Sequence, residues 1–126
     1  MKKVLFLSFF LGFFLNVSIR PLYAANNQNS SEAYTIYLKA LLLQNQGNLT
    51  EASKALEEAI SLSPQSEFLY KLEAEVSFQS GQLDKAAEAV EKAISFDEKN
   101  YKLFILAGQI YWSQGKSDVA EEKLKK

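Results

Sequence analysis

The feature that most constrains this chain is an internal repeat with a period of 34 residues. Three sets of small residues keep this spacing: Gly47, Gly81 and Gly115; Ala52, Ala86 and Ala120; and Ala59 with Ala93. A fixed period of roughly 20–50 residues is typical of repeat proteins, in which one small structural unit stacks on the next. The chain is therefore expected to fold as an array of similar units.

Each unit is predicted to contain two helices. From Ala33 onwards the chain is rich in Ala, Leu, Glu, Lys and Gln, which favour helix, and Pro64 is the only proline there. The glycine ends the first helix of each unit because it adopts the left-handed conformation at little cost. An acidic residue soon follows, Glu51, Asp84 or Asp118, and favours the positive end of the second helix's dipole. Pro64 ends the second helix of unit one.

Other residues are expected to complete the units. The matched alanines let the two antiparallel helices approach closely, and Leu56, Val90 and Leu124 fill the space one turn further on. Ser66 and Asn100 precede the second and third units, and both residue types cap helices well. The pattern predicts an all-α fold.

A 34-residue helix–turn–helix unit with these glycines, alanines and proline resembles the tetratricopeptide repeat. The resemblance covers residues 33–126, with units at 33–66, 67–100 and 101–126, the last incomplete. It implies a right-handed α-solenoid of antiparallel helix pairs with about 2.5 repeats. Lys39 and Glu73 depart from it, because they occupy a slot usually held by leucine. The repeat-defining positions are Gly47, Ala52, Ala59, Pro64, Gly81, Ala86, Ala93, Gly108, Gly115 and Ala120.

The first 24 residues have the order of a secretory signal peptide. Two lysines precede an apolar run over residues 4–19, and Ala24 and Ala25 supply small residues for cleavage. The run is shorter than the ~20 residues that span a bilayer comfortably. We expect residues 1–24 to be removed during export to the periplasm or cell envelope, or on secretion. A retained membrane anchor is the alternative. Residues 25–32 are polar and are predicted to be a linker.

The composition excludes several kinds of chemistry. The chain has neither cysteine nor histidine, so it lacks thiolate nucleophiles and the commonest transition-metal ligand. Neighbouring glutamates and lysines, such as Lys71 and Glu75, have the i,i+4 spacing of a solvated helix face. We therefore predict no catalytic, cofactor or metal site, and no enzymatic activity.

The charge of the chain does not favour nucleic acid as a partner. Three of the 14 basic residues and none of the 15 acidic ones lie in residues 1–24. The rest of the chain is therefore mildly acidic, which does not suit binding to nucleic acid.

The resemblance also implies a binding surface, because in this family the first helix of each unit lines a concave groove. The corresponding positions are Tyr34, Tyr37, Leu41, Phe68, Lys71, Glu75, Phe78, Lys102, Ile105, Gln109 and Trp112. Five of these are aromatic and only two are basic. Exposed aromatic residues are typical anchors for a protein or peptide partner. The alternative is that some of them pack against neighbouring helices or against a later repeat.

One branch of the family holds the C-terminal carboxylate of a chaperone tail with Lys, Asn and Arg. The corresponding places here include Tyr37, Leu41, Leu72 and Leu106, and only Lys102 is basic. The carboxylate clamp is therefore absent by sequence.

These observations predict a non-catalytic interaction scaffold in the bacterial cell envelope. Two alternatives remain open. The chain is the N-terminal interaction region of a longer enzyme or of a secretion or transport component whose activity lies beyond Lys126, or it is a scaffold tethered to the membrane by an uncleaved signal segment. Self-association through the C-terminal end of the array is a further expectation, since Val119 and Leu124 lack a following helix to cover them.

Overall fold

The computed structural model describes residues 27–126 of the chain. Within this part the predicted all-α fold is confirmed, since it consists of helices and turns without a strand. The helices are α1 over residues 27–45, α2 (Leu49–Leu62), α3 (Glu67–Gln79), α4 (Leu83–Phe96), α5 (Tyr101–Ser113) and α6 (Ser117–Leu124). None of the described helices combines the length and the apolar character needed to cross a membrane. The predicted signal peptide or anchor at residues 1–24 lies outside the described residues.

The three glycines of the repeat end the first helix of each unit with the same turn. Gly47, Gly81 and Gly115 have φ of 78°, 77° and 76°, in the left-handed region that favours glycine. In the first turn the Asn48 N–H donates to the Leu43 carbonyl at 2.9 Å, and the equivalent bonds of the other two turns measure 2.8 and 2.9 Å. This is the Schellman arrangement, which satisfies carbonyls left open at a helix end.

Small residues bring the helices of each pair together. Ala52, Ala86 and Ala120 are fully buried, as are Ala59 and Ala93. A larger side chain at these places would separate the helices or leave its rotamer minimum, because protein interiors are packed to the density of organic crystals. The alanines therefore set the helix spacing on which the groove depends.

Two core clusters join the units. The first contains Leu56 of α2 together with Leu69 and Leu72 of α3, and the second contains Val90 of α4 together with Leu103 of α5. Each cluster thus spans the junction between consecutive units.

Leu124 occupies the equivalent place in unit three, where a following helix was not expected to cover it. Its side chain is 57% exposed, because in the described part no helix packs on the far side of α6. Leu124 lies against Gly108, where an added Cβ would come within 2.7 Å of it.

The ends of two elements also differ from the sequence-based prediction. Residues 27–32 of the predicted polar linker are helical and extend α1, whose first buried side chain is Ala33. An additional polar turn costs little free energy when one face of the helix is already held by packing.

One of the two predicted helix caps is present. Asn100 caps α5 by accepting a hydrogen bond from the Lys102 N–H at 3.2 Å. Ser66 occupies the cap position of α3, but its hydroxyl is buried and makes no capping hydrogen bond.

Candidate functional site

The predicted groove residues lie on the first helix of each unit. Tyr34, Tyr37 and Leu41 are on α1, four others are on α3 and four on α5. All eleven are at least partly exposed, from half-buried Leu41 to Trp112 at 64%. The surface they form has an aromatic end, a polar middle and a second apolar end.

Three aromatic rings are in contact at the end of the groove where α1 and α3 begin. The ring of Tyr37 meets the ring of Phe68 edge to face, with centroids 4.9 Å apart. Tyr34 stacks on Tyr37 at 6.0 Å and reaches Phe68 at 6.3 Å. Such arrangements add about 0.5–1.5 kcal/mol per pair beyond the area that they bury. We call Tyr34, Tyr37 and Phe68 the aromatic cluster. Because Tyr34 and Phe68 remain 52% and 39% exposed, the cluster is a preformed apolar surface.

The middle of the groove is polar. Lys71 Nζ lies 3.9 Å from Glu75 Oε1, and both side chains are about one-third exposed. Burial raises the pKa of the Tyr37 hydroxyl, and the nearby charge of Glu75 raises it further. Tyr37 therefore stays neutral and remains a hydrogen-bond donor throughout the physiological pH range.

A second apolar site lies where α3 and α5 end. Phe78, Gly108, Gln109, Trp112, Ser113 and Leu124 line a shallow cavity of about 380 Å³, which we call the distal depression. Phe78 is half-buried against the second core cluster, whereas Trp112 is largely exposed. Core packing therefore holds the Phe78 side of the depression in place, whereas the indole of Trp112 is exposed to solvent.

The two apolar sites are separated by a defined distance. Phe68 and Phe78 are ten residues apart on α3, and a helix rises 1.5 Å per residue, so the sites lie about 15 Å apart along the groove. The stretch between them includes the Lys71–Glu75 pair and Ile105.

The structure shows what the places that correspond to the carboxylate clamp contact in this chain. Leu72, at one of the clamp places, is 3% exposed and belongs to the first core cluster. Tyr37, at another, packs in the aromatic cluster. Lys102 is exposed and supplies a single positive charge, which is insufficient to hold a terminal carboxylate in a fixed orientation.

A set of charged contacts at the junction of units one and two was not predicted. Lys85 Nζ of α4 lies 2.9 Å from both Ser53 Oγ and Glu57 Oε1 of α2, and 3.4 Å from Glu73 Oε1 of α3. Burial raises the pKa of Glu73, and Lys85 offsets this only in part. For Lys85, burial works against the charged form, but its contacts with Glu57 and Glu73 outweigh it, and the pKa of the ammonium is raised.

The junction of units two and three uses different groups. Glu91 Oε1 accepts a hydrogen bond from the Tyr111 hydroxyl at 2.8 Å and lies 2.7 Å from Lys123 Nζ. Burial, the hydrogen bond and the charge of Glu91 raise the pKa of Tyr111 to about 12. Helix-local spacing does not reveal such contacts between units. One sequence feature pointed to the contacts between units one and two: Glu73 occupies a position where the family usually has leucine.

Comparison with sequence families decides the identity of the fold. The family model described as tetratricopeptide repeat matches residues 28–66 and 72–100, which together are more than half of the chain. The chain belongs to the tetratricopeptide repeat family. This family is typically a non-catalytic protein-interaction module. The first match begins within the polar stretch predicted as linker, in agreement with the helical start of α1. No curated protein matches the sequence.

Several solved tetratricopeptide repeat structures have the same fold. The crystal structure of MamA is 27% identical with a TM-score of 0.73, and the likeness covers 76% of this chain and 56% of MamA. This chain thus spans just over half of the MamA chain. The first repeat domain of Spaghetti (RPAP3), bound to the HSP90 peptide SRMEEVD, is 18% identical with a TM-score of 0.72, covering 75% of both chains. The Yersinia enterocolitica type III secretion translocator chaperone SycD is 19% identical with a TM-score of 0.72, covering 75% of this chain and 72% of SycD.

Proposed function

We propose that this tetratricopeptide repeat protein is a non-catalytic adaptor of the bacterial cell envelope, which binds a segment of a partner protein in the groove of α1, α3 and α5. The observation that carries the proposal is the pair of apolar sites, the aromatic cluster and the distal depression, at the two ends of the surface formed by α1, α3 and α5. The peptide-bound Spaghetti domain, which has the same fold, supports a peptide as the ligand.

The spacing of the two sites defines the partner segment. A stretch of extended chain covers about 3.3 Å per residue, so about 15 Å corresponds to four or five residues. Because side chains of an extended chain alternate between its two sides, we propose an extended segment with two large apolar side chains four positions apart. The polar middle of the groove, with Lys71 and Glu75, faces the intervening backbone and supplies hydrogen-bonding groups.

Binding of designed peptides tests this proposal. Fluorescence anisotropy should detect binding of extended peptides with two aromatic anchors four residues apart, which places both on one side of the chain, and weaker binding when the anchors are two residues apart. The peptide SRMEEVD should not bind, because the clamp residues are missing. Tight binding of SRMEEVD, or equal affinity at both anchor spacings, would contradict the proposed groove.

Two exposed aromatics allow a matched mutational test. Trp112→Ala should weaken peptide binding roughly 30-fold, the effect of losing about 2 kcal/mol at an interface anchor. Tyr101 is 63% exposed, as Trp112 is, but is not a predicted groove residue, so Tyr101→Ala should leave affinity unchanged. Phe78 is a poorer probe because its truncation also removes packing from the core. Raising salt to ~0.5 M should leave most binding intact, since apolar contacts are not screened as charges are.

The location in the cell envelope rests on residues 1–24. N-terminal sequencing of protein from the envelope fraction should begin at Ala25 or Asn26 if the segment is a cleaved signal peptide. Membrane-bound protein that begins at Met1 would instead support the tethered scaffold.

A further inference from the structure

A cavity separate from the groove lies on the opposite side of α3. Its volume is about 610 Å³, and the residues that line it include Tyr70 and Glu73 of α3 and Lys85, Glu88 and Lys92 of α4. Because an α-helix has about 3.6 residues per turn, Tyr70 and Glu73 face away from the groove residues of α3. We call this cavity the α3–α4 cleft.

The Glu73 carboxylate lines the α3–α4 cleft and has a single partner. The Glu73 side chain is only 10% exposed, and Lys85 Nζ lies 3.4 Å from its Oε1. Within residues 27–126 no other cation or hydrogen-bond donor reaches this carboxylate. An ionised carboxylate accepts about four hydrogen bonds, so most of the accepting capacity of Glu73 is unused.

Lys85 has no further proton to offer to Glu73. Its Nζ lies 2.9 Å from both Ser53 Oγ and Glu57 Oε1, in addition to its longer contact with Glu73. Together these contacts use all the N–H donors of the ammonium group. Burial raises the pKa of Glu73, and the charges of Glu57 and Glu88 raise it further, so Lys85 compensates the buried charge only in part.

The remaining charges of the cleft favour a positively charged ligand. Glu91 also lines the cleft, but Lys123 Nζ lies 2.7 Å from it and balances its charge. Glu88 is exposed and has no ion-pair partner in the described part of the chain. With the ion pair between α2 and α4 also balanced, Glu73 and Glu88 remain against Lys92. The cleft therefore carries an excess of negative charge, which attracts cations.

An aromatic ring forms the wall of the cleft beside Glu73. Tyr70 lies one turn before Glu73 on the same face of α3. Its hydroxyl donates to the Pro64 carbonyl at 3.1 Å, and its ring stacks on Phe96 with centroids 5.8 Å apart, so the ring is held in place. Lys92 Nζ lies 5.5 Å from the centroid of the Phe96 ring, which shows that this aromatic pair already attracts a cation.

We propose that the α3–α4 cleft binds the guanidinium group of an arginine side chain from a partner protein, with Glu73 as its carboxylate and Tyr70 as its stacking surface. A guanidinium group is planar, donates two parallel hydrogen bonds to a carboxylate, and is less strongly hydrated than an ammonium group. These properties suit a buried carboxylate beside an aromatic ring. Because the family is typically a protein-interaction module, we assign the arginine to a protein.

Three peptides that differ in one side chain test this assignment. Each has glycine and serine residues around a central arginine, lysine or citrulline, and citrulline has the shape of arginine without its charge. In amide NMR spectra of isotope-labelled protein, the arginine peptide should shift the signals around Tyr70, Glu73 and Glu88. The lysine peptide should bind roughly threefold or more weakly, because an ammonium group forms no bidentate contact with a carboxylate. The citrulline peptide should not bind.

Variants of two carboxylates on α3 provide a matched comparison. Glu73→Gln keeps the shape of the side chain but removes its charge, and it should weaken binding of the arginine peptide roughly tenfold or more. Glu75→Gln makes the same change on the groove side of α3 and should leave this affinity unchanged. Glu88→Gln should weaken binding roughly twofold, because its carboxylate is exposed. Circular dichroism should show the same helicity for all three variants.

Several outcomes would overturn the proposal. These are an arginine peptide that does not bind, equal affinity for the arginine and citrulline peptides, and unchanged affinity in a folded Glu73→Gln variant. Signal changes confined to the groove, around Tyr37 and Phe78, would also overturn it. Free arginine that binds as tightly as the peptide would assign the cleft to a small guanidinium compound and not to a protein. Glu73→Gln should leave binding of the groove peptides unchanged, so this proposal and the proposed function can fail independently.

Discussion

Replacing Lys85 with methionine is expected to destabilise the protein through Glu73. Methionine keeps an unbranched apolar stem but removes the Nζ that contacts Ser53, Glu57 and Glu73. The Glu57 side chain is 62% exposed and returns to water at little cost. The Glu73 side chain is only 10% exposed, so its carboxylate would remain in the junction without a charged partner.

Protonation of Glu73 limits the loss. Protonating a carboxylate with an ordinary pKa of about 4.3 costs about 3.7 kcal/mol at pH 7. The buried charge of Glu73 therefore cannot lower the free energy of unfolding by more than this amount, because the carboxyl would take up a proton instead. Because the pKa of Glu73 is raised in the folded state, the folded protein binds the proton more tightly, and the loss grows as pH rises above about 4.3. We expect a cost of about 2–3 kcal/mol at pH 7, which falls by up to about 1.4 kcal/mol per pH unit towards pH 5.

Urea denaturation followed by circular dichroism at pH 5 and pH 7 measures this difference. Lys54→Met removes an exposed ion pair and should cost less than about 0.5 kcal/mol at both pH values. Adding Glu73→Gln to Lys85→Met should recover most of the lost stability, because a neutral amide carries no buried charge. Equal costs for Lys54→Met and Lys85→Met, or no recovery with Glu73→Gln, would refute the reasoning.

The remaining predictions concern packing, turns and a titration. Ala86→Glu should lower the unfolding free energy by more than ~2 kcal/mol in urea denaturation, because it places charge and volume at a fully buried position. Gly81→Ala should cost about 1 kcal/mol by the same measurement, since φ is +77° and an added Cβ meets only open space. Asn100→Ala should lower the unfolding free energy by about 1 kcal/mol through loss of the α5 cap. Because the pKa of Tyr111 is raised to about 12, its stabilisation is complete below pH 10 and is lost as pH rises towards 12. Tyr111→Phe should flatten that alkaline loss in thermal unfolding curves.

The repeat period predicted the helices well because each unit depends on local chemistry. Gly47 and its equivalents take the left-handed turn wherever they occur, and small alanines are buried in every unit. The period does not determine which side chains form contacts between consecutive units. Lys85 reaches a residue 28 positions earlier, and such a contact depends on the stacking of units rather than on spacing within a helix.

The groove was predictable by position but not by exposure. All eleven positions lie on α1, α3 and α5, yet the equivalent positions of α3 and α5 hold half-buried Phe78 and largely exposed Trp112. The difference arises because Phe78 packs on the core of units two and three, whereas Trp112 stands beside the short α6. Leu72 lies at a clamp position of the family but is buried in this chain, which the register alone does not reveal.

The shortness of helix α6 connects its local unfolding to ligand binding. α6 has eight residues and buries only Ala120, whereas α4 buries six of its 14 residues. Its amide hydrogens should therefore exchange with solvent much sooner than those of α3 and α4. Leu124 of α6 forms one wall of the distal depression, so each fraying event of α6 removes part of the ligand site. A ligand held by Trp112 and Leu124 selects molecules in which α6 is formed, and it should slow amide exchange in α6 more than in the other described helices.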